Sequence, residues 1–77
     1  MKRVAVIGAG AWGTTLASLL SARADTTLWA REPEVVASIR DVRENVLFLP
    51  GFSLPEALRA TTDLEEALTG ADLAVYA

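Results

Sequence analysis

The chain has 77 residues, enough for one small domain, and its formal net charge of −3 lacks the basic surplus typical of nucleic-acid-binding proteins. It contains no cysteine and no histidine, which excludes disulfide scaffolds, cysteine-ligated metals and a histidine general base. No stretch approaches the roughly 20 apolar residues that a membrane-spanning helix needs, so we expect a cytoplasmic protein.

The first part of the chain alternates predicted strands and helices. Hydrophobic residues make up 52% of the chain, which favours strands covered on both faces, as in a parallel sheet. The run Arg3–Ile7, rich in β-branched residues, predicts the first strand. Helical spacing of Leu16, Leu19 and Leu20 then predicts a helix over Trp12–Arg23.

A second strand and helix follow, and then an unusual loop. Thr27–Ala30 predicts a short strand, and Pro33 in a first helical turn starts a helix that extends to about Arg43. The buried face of this helix is predicted to carry Val35, Val36 and Ile39. Asn45–Pro55 contains prolines but is rich in apolar residues, so we expect it to pack onto the domain edge or over a ligand.

The last part of the chain predicts two more strands around a short helix. Leu58–Thr61 predicts a weak third strand and Leu73–Ala77 a fourth. Between them, Asp63 predicts an N-cap with Glu66 three residues later, as in a capping box, and Gly70 ends the helix. The order βαβαβαβ with right-handed crossovers predicts an α/β fold, a partial Rossmann fold. Its parallel sheet is predicted to have the strand order 3-2-1-4 with helices on both faces, and the chain stops within the fourth strand.

A glycine motif, Gly8–Gly13, lies directly after the first predicted strand and opens the first predicted helix. In this context the pattern G-x-G-x-x-G indicates dinucleotide binding. Gly8 is predicted to permit a tight turn, Gly10 to let the backbone approach a pyrophosphate, and Gly13 to let the helix lie close to the strand. The alternative is a glycine-rich turn that serves only helix–strand packing.

Arg31 follows the second predicted strand, at the place where a carboxylate usually binds the ribose hydroxyls of NAD. A guanidinium there favours NADP(H), because it can pair with a 2′-phosphate, whereas Glu32 keeps NAD(H) open. The alternative for Arg31 is a solvated residue at a helix start. An FAD site is disfavoured because it usually needs the carboxylate.

The aromatic residues near the motif have competing interpretations. Trp12 is predicted either to lie beside the pyrophosphate and nicotinamide or to fill the space between helix and sheet. Trp29 is assigned to the core, and Phe48 either closes over the cofactor or packs in the core. The acidic residues suit helix starts and turns better than acid–base chemistry, so no catalytic residue and no metal ligand is predicted.

Five segments, in this order, resemble the N-terminus of bacterial NAD(P)-dependent glycerol-3-phosphate dehydrogenase. They are Gly8–Ala17, Leu28–Arg31 with Glu34, Asn45–Gly51, Ala60–Ala67 and Ala71–Asp72. The resemblance implies reduction of dihydroxyacetone phosphate to sn-glycerol 3-phosphate with NAD(P)H, which feeds glycerophospholipid synthesis. It also implies cofactor contacts at Ala11, Trp12, Arg31 and Phe48. The family often has serine in place of Ala11 and tyrosine in place of Phe48, so contacts through those hydroxyls are absent.

The same resemblance bears on domain organisation. Residues 1–77 are expected to be the N-terminal part of an NAD(P)-binding Rossmann domain, without the C-terminal substrate domain. The catalytic lysine and substrate residues of the family lie beyond Ala77, so the chain alone is expected to be inactive, and a homodimer is expected of the full-length protein. Two alternatives stay open: part of another reductase, such as ketopantoate reductase, and a non-catalytic module that senses NAD(P).

Overall fold

The computed structural model describes residues 3–77 as a four-stranded parallel sheet with three helices. The elements are β1 (Arg3–Ile7), α1 (Ala11–Leu20), β2 (Asp25–Trp29), α2 (Pro33–Val42), β3 (Arg59–Thr61), α3 (Leu64–Leu68) and β4 (Leu73–Tyr76). The strand order is β3-β2-β1-β4, and every neighbouring pair is parallel. The predicted α/β fold and strand order are therefore confirmed.

Strand β1 lies in the middle of the sheet and contributes to a core on each face. Because side chains alternate along a strand, Val4 and Val6 join the larger core cluster, whereas Ala5 and Ile7 join the smaller one. Helices α1 and α2 cover the larger cluster, and α3 covers the smaller one through Ala67. Helices thus lie on both faces, as the hydrophobic pattern predicts.

Helix α1 differs from its prediction in its bounds. It begins at Ala11 and ends at Leu20, because the next residues turn with i→i+3 bonds, such as Arg23 N–H to the Leu20 carbonyl at 2.9 Å. Its buried residues are Gly13, Thr14 and Ala17, whereas Leu19 is 68% exposed. Small residues face the sheet because they let the helix approach closely. The leucine spacing indicated the helix but not its inner face.

Strand β2 also starts earlier than predicted, at Asp25. Parallel pairing places Asp25 beside Arg3 of β1, and its carboxylate lies 3.4 Å from Arg3 and 3.6 Å from Arg59 of β3. These ion pairs therefore join the three neighbouring strands at the start of β2. At its other end, β2 stops one residue before the predicted Ala30.

The two later helices follow their start and stop signals closely. Helix α2 buries Val35, Val36 and Ile39, as predicted, and ends in the left-handed conformation at Arg43, with φ of 56°. In α3, the Asp63 carboxylate accepts a bond from the Glu66 N–H at 3.1 Å. In a full capping box the Glu66 carboxylate would accept from the Asp63 N–H. Here the Asp63 N–H donates to the Thr61 hydroxyl instead, and that hydroxyl donates to the Glu66 carboxylate at 2.7 Å.

The segment between α2 and β3 forms turns that are partly buried. Asn45 and Leu54 are buried, whereas Leu47 and Phe52 are exposed. This confirms that the predicted apolar loop is not solvated throughout. The third strand is one residue shorter than predicted and begins at Arg59. Within residues 3–77, no helix has the length and apolar character that crossing a membrane requires.

Candidate cofactor site

A cavity of about 230 Å³ lies at the carboxyl ends of β1 and β2. Ligands of open parallel sheets bind at this edge. The cavity is lined by Gly8, Ala9, Gly10, Trp29, Arg31, Glu32 and Phe48. It therefore brings together four of the predicted cofactor residues: Gly8, Gly10, Arg31 and Phe48. They come from the glycine loop (Gly8–Gly13), the end of β2 and the apolar loop (Asn45–Pro55). Ala11, Trp12 and Gly13 lie in the adjoining first turn of α1 and do not line it.

The three glycines of the motif differ in what surrounds them. Gly8 has φ of 119° and donates its N–H to the Trp29 carbonyl at 3.0 Å, so it makes the turn out of β1 while still pairing with β2. A Cβ at Gly13 would lie 1.9 Å from the Gly8 carbonyl oxygen. A Cβ at Gly10 would meet nothing within 4 Å among the described residues. Packing therefore requires Gly13, whereas the space beside Gly10 is open.

The N-terminus of α1 carries no protein cap. Gly10 is the N-cap residue, no side chain bonds to this end, and the first turn has no acidic residue. The first N–H groups of a helix have no partner within the helix and carry its positive dipole end. With Gly10 open in front of them, they form a place where an anion such as a pyrophosphate fits.

Trp12 projects from this turn and is 71% exposed. The interpretation of Trp12 as filling between helix and sheet is therefore wrong, because its neighbour Gly13 occupies that position instead. Exposure leaves the indole ring and its N–H free to contact a ligand. Ala11 is also exposed and offers only its backbone, since it has no polar side chain.

Arg31 and Glu32 form the polar wall of the cavity. The Arg31 side chain is 85% exposed, and its Nη2 lies 4.0 Å from the Glu32 carboxylate. An exposed pair at this distance contributes at most about 1 kcal/mol, so it does not prevent either group from binding another partner. Glu32 is the N-cap of α2, but its side chain makes no capping bond. Its carboxylate oxygens are therefore available for hydroxyl groups.

Trp29 and Phe48 form the apolar wall of the cavity. Trp29 packs against the smaller core cluster, and its indole N–H donates to the Thr62 carbonyl at 2.9 Å. Its N–H is therefore already used within the protein and is not available to a ligand. Phe48 is 39% exposed and lines the cavity, so the core interpretation does not describe it.

Sequence reasoning assigned no role to Asn45 and Thr14, although both support the glycine loop. Asn45 is completely buried, and its side-chain amide donates to the Ala9 carbonyl and to the Thr14 hydroxyl, both at 2.8 Å. Its carbonyl oxygen accepts from the Phe48 N–H at 3.0 Å. The sequence does carry one signal for Asn45, since its amide directly precedes an apolar run. An amide buried with such a run must find hydrogen-bond partners.

A larger cavity, of about 390 Å³, lies away from the glycine loop, beside β3. It is rich in arginine, but the Arg40 guanidinium makes two bonds, at 3.1 and 2.8 Å, to the Ala60 carbonyl. Arg40 thereby satisfies a β3 carbonyl, which is a structural role. Within residues 3–77 no group of acidic side chains is arranged to hold a metal ion.

Comparisons with known proteins identify the family to which the chain is similar. A family model described as the N-terminus of NAD-dependent glycerol-3-phosphate dehydrogenase matches residues 3–77. A glycerol-3-phosphate dehydrogenase [NAD(P)+] of Citrifermentans bemidjiense is 56% identical over 73 residues, covering 94% of the chain and 22% of the relative.

Two solved structures extend the comparison to the fold. Glycerol-3-phosphate dehydrogenase of Coxiella burnetii matches with a TM-score of 0.86 and 33% identity, covering 96% of this chain and 23% of its own. The enzyme of Saccharomyces cerevisiae matches with a TM-score of 0.90 and 30% identity, covering 97% and 25%. The chain thus spans about a quarter or less of the length of these relatives.

Proposed function

The chain belongs to the family of NAD-dependent glycerol-3-phosphate dehydrogenase N-termini, and from this premise we propose that its glycine loop binds a nicotinamide dinucleotide. The observation that carries the proposal is the cavity that joins Gly8, Gly10, Arg31 and Phe48 beside an uncapped helix N-terminus. Side chains distant in sequence converge there on an open backbone. An anionic, partly aromatic ligand suits these walls.

Each residue has a defined role in this proposal. The open face of Gly10 admits the pyrophosphate, and the backbone N–H groups of Ala11 and Trp12 donate to it. Gly8 and Gly13 hold strand and helix together so that this backbone is presented. Phe48 covers the adenosine end of the cavity from the apolar loop. When bound, the cofactor supplies the hydride for reduction, while the residues described bind and orient it.

We propose NADP(H) as the favoured cofactor, with NAD(H) also accepted. The Arg31 guanidinium is largely exposed and only weakly paired, so a 2′-phosphate can replace Glu32 as its partner. Bidentate pairing of arginine with phosphate is the stronger interaction. Glu32 remains able to accept bonds from ribose hydroxyls of NAD(H), which lacks the phosphate.

The reaction proposed for the whole protein is reduction of dihydroxyacetone phosphate to sn-glycerol 3-phosphate, a precursor for glycerophospholipids. The names of the relatives support this proposal. In it, residues 1–77 form the N-terminal part of the cofactor domain, and substrate and catalytic groups come from other parts of the protein. Homodimeric assembly belongs to the same proposal.

The test starts from the complete reading frame, obtained by sequencing the coding DNA past the codon for Ala77. NADPH and NADH are titrated into the translated protein while tryptophan fluorescence is followed, because Trp12 and Trp29 lie near the proposed site. We expect saturable quenching, tighter for NADPH, and oxidation of NADPH that depends on dihydroxyacetone phosphate. Binding without turnover would favour the sensing module, and no binding of either dinucleotide would contradict the proposal.

A further inference from the structure

Asn45 connects the two walls of the cofactor cavity through one buried side chain. It lies 36 residues after Ala9, yet its amide Nδ2 is 2.8 Å from the Ala9 carbonyl. Its Oδ1 accepts the Phe48 N–H at 3.0 Å, and its backbone carbonyl accepts the Leu49 N–H at 2.9 Å. The glycine loop and the apolar loop are therefore held at a set distance by a single amide.

The bonding pattern requires an amide at this position. The Thr14 hydroxyl donates its one proton to the Ala9 carbonyl at 3.2 Å, so its oxygen can only accept from Asn45. Both Nδ2 protons are thus used, one on Thr14 and one on Ala9, while Oδ1 is the acceptor for Phe48. Aspartate has nearly the same shape but no such donors. A carboxylate there would face the Ala9 carbonyl oxygen and would be buried as a charge.

We infer that Asn45 is a positioning residue that sets the separation of the glycine loop and Phe48, and so the fit of the dinucleotide between them. This inference rests on the proposed cofactor function. Asn45 is buried and does not line the cavity, so it acts on affinity through Ala9 and Phe48. Thr14 completes the arrangement from α1 by orienting the amide.

The test compares NADPH dissociation constants and melting temperatures of variants of the protein translated from its complete reading frame. Asn45→Asp is expected to weaken NADPH binding at least about tenfold. Thr14→Val, which removes the hydroxyl that accepts from Asn45 and donates to the Ala9 carbonyl, is expected to weaken it about threefold or more. Thr14→Ser keeps the hydroxyl and is expected to retain most of the affinity of the parent for NADPH. If Asn45→Asp does not fold, the Thr14 pair carries the test.

Thr26→Val is the matched control, because Thr26 is also fully buried and bonds to a carbonyl, that of Ala24, outside the cavity. It is expected to lower the melting temperature without changing NADPH affinity. In a Phe48→Ala background, the loss caused by Asn45→Asp is expected to be smaller than in the parent, because the route through the Phe48 ring is already removed while the bond to Ala9 still acts.

The outcomes separate this inference from the function on which it rests. A parent protein that binds no dinucleotide overturns the proposed function and this inference with it. A parent that binds NADPH, with folded Asn45→Asp and Thr14→Val variants that bind equally well, overturns the inference alone. Equal losses in the presence and absence of the Phe48 ring would also overturn it, because Asn45 would then not act through that wall.

Discussion

Single residues of the glycine motif have separable duties, which the surrounding atoms reveal. Gly13 faces the Gly8 carbonyl at a distance that admits no side chain, whereas Gly10 faces open space. Gly10 also has φ of −68°, which any residue can adopt. The same added methyl group is therefore expected to have different effects at the two positions. At Gly13 it disturbs the packing of the helix on the strand, and at Gly10 it restricts access of a ligand to the backbone.

We expect Gly13→Ala to lower the free energy of unfolding by about 1–3 kcal/mol or more, since overpacking displaces helix α1 from β1. Gly10→Ala should leave the melting temperature nearly unchanged but weaken NADPH binding about tenfold, because the methyl group lies where the pyrophosphate approaches. Thermal melts and NADPH titrations of both variants measure this contrast. Wild-type affinity in Gly10→Ala would contradict the proposed path of the pyrophosphate.

The exposed guanidinium of Arg31 makes a second prediction at the same scale. Arg31→Ala should weaken NADPH binding by about 10- to 100-fold, the value of a lost charge-assisted bond, and NADH binding by much less. Arg23→Ala is the control, because Arg23 is equally charged and exposed but lies after α1, outside the cavity. Equal losses for both dinucleotides would show that Arg31 does not contact the 2′-phosphate.

At the scale of elements, each helix begins and ends for an identifiable local reason, and α3 depends most on its cap. This helix spans only Leu64–Leu68, so the bond from Glu66 N–H to the Asp63 carboxylate satisfies a large share of its free donors. It also carries the single residue, Ala67, that α3 contributes to the buried part of the smaller core cluster.

We therefore expect Asp63→Ala to lower the free energy of unfolding by about 1 kcal/mol, the usual value of an N-cap. Asp41→Ala provides the comparison, because Asp41 is exposed on α2 and makes no cap, and its effect should stay within about 0.5 kcal/mol. Chemical denaturation followed by circular dichroism measures both. Equal effects of the two substitutions would mean that the cap does not stabilise α3.

At the scale of the whole molecule, β4 is an exposed apolar edge strand of the sheet that residues 3–77 form. It pairs only with β1 in the described sheet, and Leu73 and Tyr76 are exposed on it. An apolar edge with unpaired backbone groups is a template for association with another chain. A domain of this length also buries only about 60% of its unfolded surface.

Peptide 1–77 by itself is therefore expected to be marginally stable and to self-associate through β4. Tyr76→Lys should reduce this association, because a charge on an edge strand opposes strand addition. Leu19→Lys is the control, since Leu19 is similarly exposed, 68% against 73%, but lies on α1. Light scattering and thermal circular dichroism measure the outcome. A cooperative, high-melting monomeric transition would contradict the prediction.

The amino-acid sequence by itself determined the order of elements, the parallel sheet and the place of the dinucleotide motif. These follow from local signals: apolar runs, the proline and acid at the start of α2, the Asp63 cap, and glycines at set spacing. Right-handed crossovers then leave few strand orders, and 3-2-1-4 was among them. The cavity could be anticipated because strand ends of a parallel sheet meet at one edge.

Only the tertiary structure decided which faces are buried and which polar groups hold the site together. The inner face of α1 is formed by small residues because close packing outweighs leucine spacing there. Asp25 belongs to β2 through its parallel pairing with Arg3, and arginines of both neighbouring strands lie near its carboxylate. Asn45 meets Ala9 across 36 residues, a contact that no local pattern encodes, since it depends on the apolar loop folding back over the glycine turn.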